Sequence, residues 1–161
     1  MSKTHLVAEP GVPQVLISRE FNAPREIVYR TFTEPDLLVQ WLGPRRLTMK
    51  IDTFDIRDGG AWRYTHRDED GTEYAFRGIF HGTPSLDGIV QTFEFEGTPG
   101  QVSLETVTFE DLGSRTLVRT NAVYQSVANR DAMIESGMEA GLNEGLDRLD
   151  ELLAKLTPVG A

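Results

Sequence analysis

The sequence predicts an α+β domain in which a curved seven-stranded antiparallel sheet wraps round a long C-terminal helix, with two short helices between strands one and two. Residues 47–124 alternate in polarity between short turn signatures at regular spacing, the pattern of a meander of antiparallel strands. Residues 126–156 carry an apolar stripe at helical spacing, Met138, Leu142, Leu146, Leu149, Leu153 and Leu156. A chain of 161 residues has room for one core between those layers, and no second domain is expected. The expected organisation is a flexible tail over 1–13, a single domain over 14–157 and a short tail over 158–161.

In the first strand Val15, Ile17, Arg19 and Phe21 share one side against Leu16, Ser18 and Glu20. Asn22-Ala23-Pro24 ends it, with Pro24 suited to the first turn of a helix and Asn22 to its cap. Ile27, Val28, Thr31 and Phe32 then recur at helical spacing until Thr33-Glu34-Pro35. A second short helix is expected from Pro35 through Trp41, stopped by Gly43-Pro44 because proline disfavours the α conformation in the residue before it. Strands follow at about 47–57, 61–67, 73–82, 89–96, 102–110 and 115–124. The last helix is expected from Ser126 or Asn129 to Leu156.

Gly137, Gly141 and Gly145 form a second stripe on that helix. Three glycines weaken it by roughly 2–3 kcal/mol relative to alanine, so something must offset them. One reading is close approach of the helix to its neighbours, where a Cβ would clash; the other is space between helix and sheet for a ligand. Both can hold at once.

Composition excludes several function classes. With 16 Lys and Arg against 25 Asp and Glu, the formal charge of -9 repels polyphosphate and anionic lipid, so neither nucleic acid nor membrane is an expected partner. The absence of cysteine removes disulfides, thiolate catalysis and cysteine-based zinc sites. The segment from Met1 to Gln14 has no apolar run of the kind a signal peptide needs, so a cytoplasmic location is expected, and the oligomeric expectation is a monomer or homodimer. His5, His66 and His81 are scattered and no metal, phosphate or dinucleotide motif occurs, so neither metal nor cofactor is expected.

Strand parity places aromatic side chains on the inner face. Trp62, Tyr64 and His66 share one side; so do Tyr74, Phe76, Gly78 and Phe80, then Phe93 and Phe95, then Val118, Thr120, Ala122 and Tyr124. The strand from Val102 is ambiguous, since Val107 and Phe109 share their side with Glu105. Inward tyrosine hydroxyls each need a partner, in the protein or in a ligand. Trp41, Trp62, Tyr64, Phe76, Phe80, Phe93, Tyr124, Met138, Gly141 and Leu142 are the expected lining of a ligand site, and His81, Glu105, Tyr64 and Tyr124 the titratable candidates for proton transfer. His66 and His81 also fit surface or hydrogen-bonded strand positions. Glu139, Glu144, Asp147, Asp150 and Glu151 read as a solvated helix face, and Asp55, Arg57 and Asp58 as turn and ion-pair residues.

Successive motifs resemble a known family: Arg19-x-Phe21-x-Ala23-Pro24, Thr33-Glu34-Pro35, Trp41-x-Gly43-Pro44 and Asp55-x-Arg57-x-Gly59-Gly60-x-Trp62-x-Tyr64. The likeness continues through Phe76 to His81, Gln91 to Gly97, Thr106 to Phe109 and Ser136-Gly137-Met138-Glu139-x-Gly141, covering about residues 15–156. The chain is similar to proteins related to the C-terminal domain of the activator of the heat-shock-chaperone ATPase, in the START-like (SRPBCC) superfamily. That superfamily also includes the birch pollen allergen, polyketide aromatase/cyclases and lipid-transfer domains. The resemblance implies the helix-grip fold, with a cavity between sheet and long helix. Many relatives carry a glutamate where this sequence has Gly82 and a tryptophan where it has Leu142, and both departures are expected to bear on the cavity.

The leading functional expectation is a binding or carrier protein for a small hydrophobic or aromatic molecule. The alternative is an enzyme of the polyketide cyclase/dehydratase or hydrolase-like type using the same cavity. A co-chaperone-like ATPase activator comes third, because few residues precede the first strand.

Overall fold

The computed structural model describes residues 3–157. The strands are β1 (His5–Val7), β2 (Gln14–Phe21), β3 (Thr48–Phe54), β4 (Ala61–Arg67), β5 (Glu73–Ile79), β6 (Ile89–Phe95), β7 (Val102–Asp111) and β8 (Thr116–Val123). The helices are α1 (Arg25–Thr33), α2 (Pro35–Leu38), α3 (Val127–Glu135) and α4 (Met138–Leu156). All strand pairings are antiparallel, in the order β1-β2-β8-β7-β6-β5-β4-β3. From β3 to β8 this is the expected meander. β2 closes onto β8, which leaves α1 and α2 as the excursion between the first and second long strands.

The sheet has eight strands rather than seven. His5, Leu6 and Val7, expected in a flexible tail, pair with Ser18, Ile17 and Leu16 as an edge strand. Three residues are too few for alternation to show, and the segment is tied by contacts remote in sequence. Arg19 Nη1 donates to Thr4 Oγ1 at 3.1 Å, and Arg130 Nη1 donates to the carbonyls of Glu9 and Gln14 at 3.0 and 3.1 Å. The tail expected over 158–161 lies outside the described residues. Asn22 does not cap α1, whose N-cap position is Pro24 with no side-chain hydrogen bond.

The single C-terminal helix is two. α3 begins at Ser126, whose side chain accepts the Asn129 N–H at 3.0 Å, and it ends at Ser136. Gly137 then adopts φ 87°, a left-handed conformation that costs glycine little, and α4 starts afresh. Gly137 is therefore the break between helices and not part of a glycine strip.

α4 lays Leu146, Leu149, Leu152 and Leu153 into the core. Polar contacts hold it on two sides. The side chain of Arg19, 3% exposed on the inner face of β2, donates to Asp147 Oδ1 at 2.8 Å and to Asp150. Arg148 donates to the carbonyls of Gly43 and Gln40, each at 2.9 Å. The expected solvated acidic face thus includes the two counter-ions of a buried arginine. Glu144 and Glu151 do face outward, where they meet the Arg45 N–H and guanidinium.

His66 is neither a surface nor a hydrogen-bonded histidine. Its ring stacks on Tyr64 at 5.1 Å between centroids and meets Phe76 edge-on at 5.6 Å, directly beneath Gly43, and its Nε2 is buried without a partner. Burial, and secondarily the positive charge of Arg148, pushes its pKa down to about 4. The imidazole is neutral at pH 7.

Two measurements follow from this packing. An unfolded histidine titrates near 6.5, so protonation favours the unfolded chain. The stability contributed by neutral His66 is full above about pH 6.5 and is lost as pH falls towards 4, by roughly 3 kcal/mol. NMR titration of the His66 ring should give a midpoint near 4, and a midpoint near 6.5 would refute the buried neutral state. Among the helix glycines, a Cβ at Gly141 would meet only Pro44 Cδ at 3.8 Å, whereas one at Gly145 would press on Gly43 N at 3.2 Å and Trp41 O at 3.3 Å. Gly141→Ala should therefore stabilise the protein by up to about 1 kcal/mol and Gly145→Ala destabilise it by about 1–3 kcal/mol, both read by denaturant unfolding. The reverse order would show that the helix stands elsewhere.

Candidate ligand-binding cavity

The inward positions of neighbouring strands come side by side through the registers. Gln91 on β6 pairs with Glu105 on β7, and Ile89 with Val107; Val107 in turn pairs with Thr120 on β8, and Thr120 with Ile17 on β2. On β4, Trp62 pairs with Gly78, whose missing side chain lets the indole lie over the strand. Aromatic contacts then fix the rings against one another. Trp62 stacks on Tyr64 with centroids 5.2 Å apart, Trp62 meets Phe93 at 5.9 Å, and Phe54 meets Phe80 edge-on at 5.7 Å.

Between this wall and the helices lies a cavity of about 260 Å³. Met138, Leu142 and Leu146 of α4 cover it, with Leu38 from α2 and Trp41 and Leu42 from the turn after it. Its volume falls just below the roughly 300–1,000 Å³ of drug-sized pockets, which suits a ligand of a ring or two.

The lining is apolar except for a few groups on the sheet. Gln91 Nε2 donates to Glu105 Oε1 at 3.2 Å. Burial holds the Glu105 carboxyl above the usual carboxylate range, and the Gln91 bond opposes this only in part. Burial also raises the Tyr64 phenol, helped by the nearby Glu105 charge. Trp62 Nε1 is buried without a partner. Arg19 is the one cation among the described lining residues, and Asp147 and Asp150 already engage it.

Of the residues expected from sequence, Trp41, Trp62, Tyr64, Phe80, Phe93, Met138 and Leu142 line this cavity. Three do not. Phe76 lies behind it, packed on Tyr64 and Phe93 at 5.3 and 5.4 Å. Tyr124 borders a separate small cleft with Phe95 and Met133, its pKa pushed up to about 12 by burial and then by Glu105. Gly141 faces Pro44. Among the titratable candidates Glu105 and Tyr64 share the cavity, whereas His81 is exposed on the outward side it shares with Arg77 and Ile79, opposite the buried Phe80.

Gln91, Arg19, Thr120 and Phe54 are among the wall residues absent from the expected lining. Gln91 has the parity of Phe93 and was legible on that ground, but its polarity hid it. Position 82 does not bear on the cavity: Gly82 is exposed, and a Cβ there meets nothing within 4 Å. Among the described residues no cluster of three or more His, Asp or Glu is placed to hold a metal ion.

A solution structure of a protein from Arthrobacter aurescens aligns with a TM-score of 0.86 at 25% identity, covering 96% of this chain and 92% of that one. A crystal structure from Rhodobacter sphaeroides aligns with a TM-score of 0.86 at 23% identity, covering 95% and 99%. CalU16 from Micromonospora echinospora shares the fold with a TM-score of 0.62 at 17% identity, covering 95% and 85%. No curated protein matches in sequence. The family described as activator of Hsp90 ATPase homolog 1-like protein matches over residues 22–154, the span that holds every strand of the cavity wall except β2. With strands β3 to β8, nearly all of the covering helix and the motifs from Ala23-Pro24 to Gly141 inside that match, the chain belongs to the activator of Hsp90 ATPase homolog 1-like family.

Proposed function

We propose that the protein binds a small, largely apolar, ring-containing molecule in the cavity between sheet and α4, and acts as its carrier. The observation that carries this reading is the cavity itself. Protein interiors pack at close to crystal density, and an unfilled space of about 260 Å³ forfeits contacts that a packed core keeps. A ligand restores them. The wall suits rings, and the Tyr64 hydroxyl and Glu105 carboxyl are polar tips that orient an occupant.

A second reading is an enzyme on the same cavity, favoured by the presence of two proton-transfer groups, Glu105 and Tyr64, at one space. His81 plays no part in it. Chaperone activation, which the family description names, has no counterpart among the cavity features.

Native mass spectrometry of protein purified from its own host should reveal a co-purifying small molecule. Binding of a neutral naphthalene dye should quench Trp41 and Trp62, both of which line the cavity. Leu142→Trp places an indole in the space beneath α4 and should weaken that dye at least about tenfold while leaving the circular dichroism spectrum native. Gly141→Ala should leave dye binding unchanged. Equal dye affinity in the Leu142→Trp variant would show that the occupant sits elsewhere.

A further inference from the structure

We propose that the ligand is an organic amine, its protonated nitrogen paired with Glu105 beside the rings of Tyr64 and Phe93 and its hydrocarbon body lodged beneath Met138 and Leu142. The inference rests on the cavity-binding reading and adds the charge that the ligand must carry.

Among the described residues Glu105 is a carboxyl without a counter-ion. Its one hydrogen bond comes from a neutral amide, Gln91, at 3.2 Å. The single cation of the described wall, Arg19, is already held by Asp147 and Asp150. The registers also keep the two apart: Arg19 lies opposite Val118 on β8, while Glu105 lies opposite Ala122, two strands from β2 and four residues along. The other polar groups that face the same space from the sheet are the neutral Gln91, Tyr64, Thr120 and the Trp62 indole N–H, and α4 adds only the apolar Met138, Leu142 and Leu146.

A neutral oxygen ligand has no use for a carboxyl here. Gln91, Thr120 and Tyr64 already supply neutral donors and acceptors, and a carboxyl that ionises is far costlier to bury than an amide, so its place here calls for a partner that answers the charge. What Glu105 alone offers is negative charge. Ring faces attract cations, and Phe93 stands diagonal to Glu105 through the pairing of Gln91 with Glu105 and Phe93 with Ser103. The formal charge of -9 on the whole chain also gathers cations round the protein. In the empty cavity burial favours the protonated acid. A neutral amine arriving there takes the proton from the Glu105 oxygen onto its nitrogen, leaving a carboxylate–ammonium pair. An amine that arrives protonated displaces the carboxyl proton to solvent. Either way the occupied site is neutral overall.

Calorimetric titration with two probes of the same shape, naphthylmethylamine and naphthylmethanol, tests this on the full chain. The wild-type protein should bind the amine at least about tenfold more tightly than the alcohol, and Glu105→Gln should erase that preference while still binding the alcohol. Retained alcohol binding certifies that the variant is folded; if it is not, the wild-type preference alone decides. Equal or tighter binding of the alcohol by the wild-type protein overturns the amine but keeps the cavity as a ligand site, and so does an amine preference that survives Glu105→Gln. Binding of neither probe overturns both.

Discussion

A guanidinium inside the molecule holds the architecture open. Arg19 points inward from β2 and is 3% exposed, a placement that costs several kcal/mol unless its charge is met. Asp147 and Asp150 meet it from successive turns of α4. Residues three apart lie on one helix face, so the two carboxylates grip a single cation and set the position of α4 along the sheet. On the other flank Arg148 ties the same helix to the carbonyls of Gln40 and Gly43, and Gly145 brings it against the backbone there. A helix held by apolar burial alone would settle towards the sheet to close a gap. Pinned on both flanks in its middle turns, α4 fills the core with Leu149 and Leu153 yet stands over open space at Met138 and Leu142.

The opposite wall is stiff for a different reason. Trp62, Tyr64 and His66 run along β4 as a stack, backed by Phe76 and Phe93 from the next two strands. Each ring limits the rotamers of the next, so the wall needs no ligand to take shape. A neutral His66 fits that role, because a charged imidazole in the stack would sit buried beside Arg148 with its Nε2 proton unmet. Binding to a preformed wall avoids much of the ordering cost that a collapsing pocket imposes.

Much of this was legible in the residues, for definite reasons. Alternation told inside from outside on β2, β4, β5 and β8, including the inward Arg19 and Thr120, because a sheet with one buried face imposes period two. The same parity put Glu105 with Val107 and Phe109, and the structure resolves that strand's ambiguity in favour of an inward carboxyl. Periodicity was silent on which rim of α4 meets β2, so Asp147 and Asp150 read as solvated acids. It was silent on β1, too short to alternate, and on the break at Gly137, where one helix turn and one left-handed glycine leave the apolar spacing almost intact. Tyr124 lies too far along β8 to reach the cavity, Phe76 is screened from it by Tyr64 and Phe93, and Gly141 turns towards Pro44 although Met138 and Leu142 on either side line the space, distinctions that parity does not encode.

The position of the acid matters more than its presence. The resemblance to relatives with a glutamate at the place of Gly82 directs attention to the end of β5, but that site is an exposed turn from which a side chain leaves the molecule. Glu105 stands instead in the middle of β7, with β6 and β8 hydrogen-bonded on either side through Gln91 and Ala122. A carboxyl on a loop can swing out to water when it ionises. One mounted between two paired strands cannot, so its charge must be answered within the cavity, by a proton or, on the reading proposed above, by the cation of an occupant. On that reading the sheet makes the electrostatics of the occupant, as well as its shape, a condition of binding.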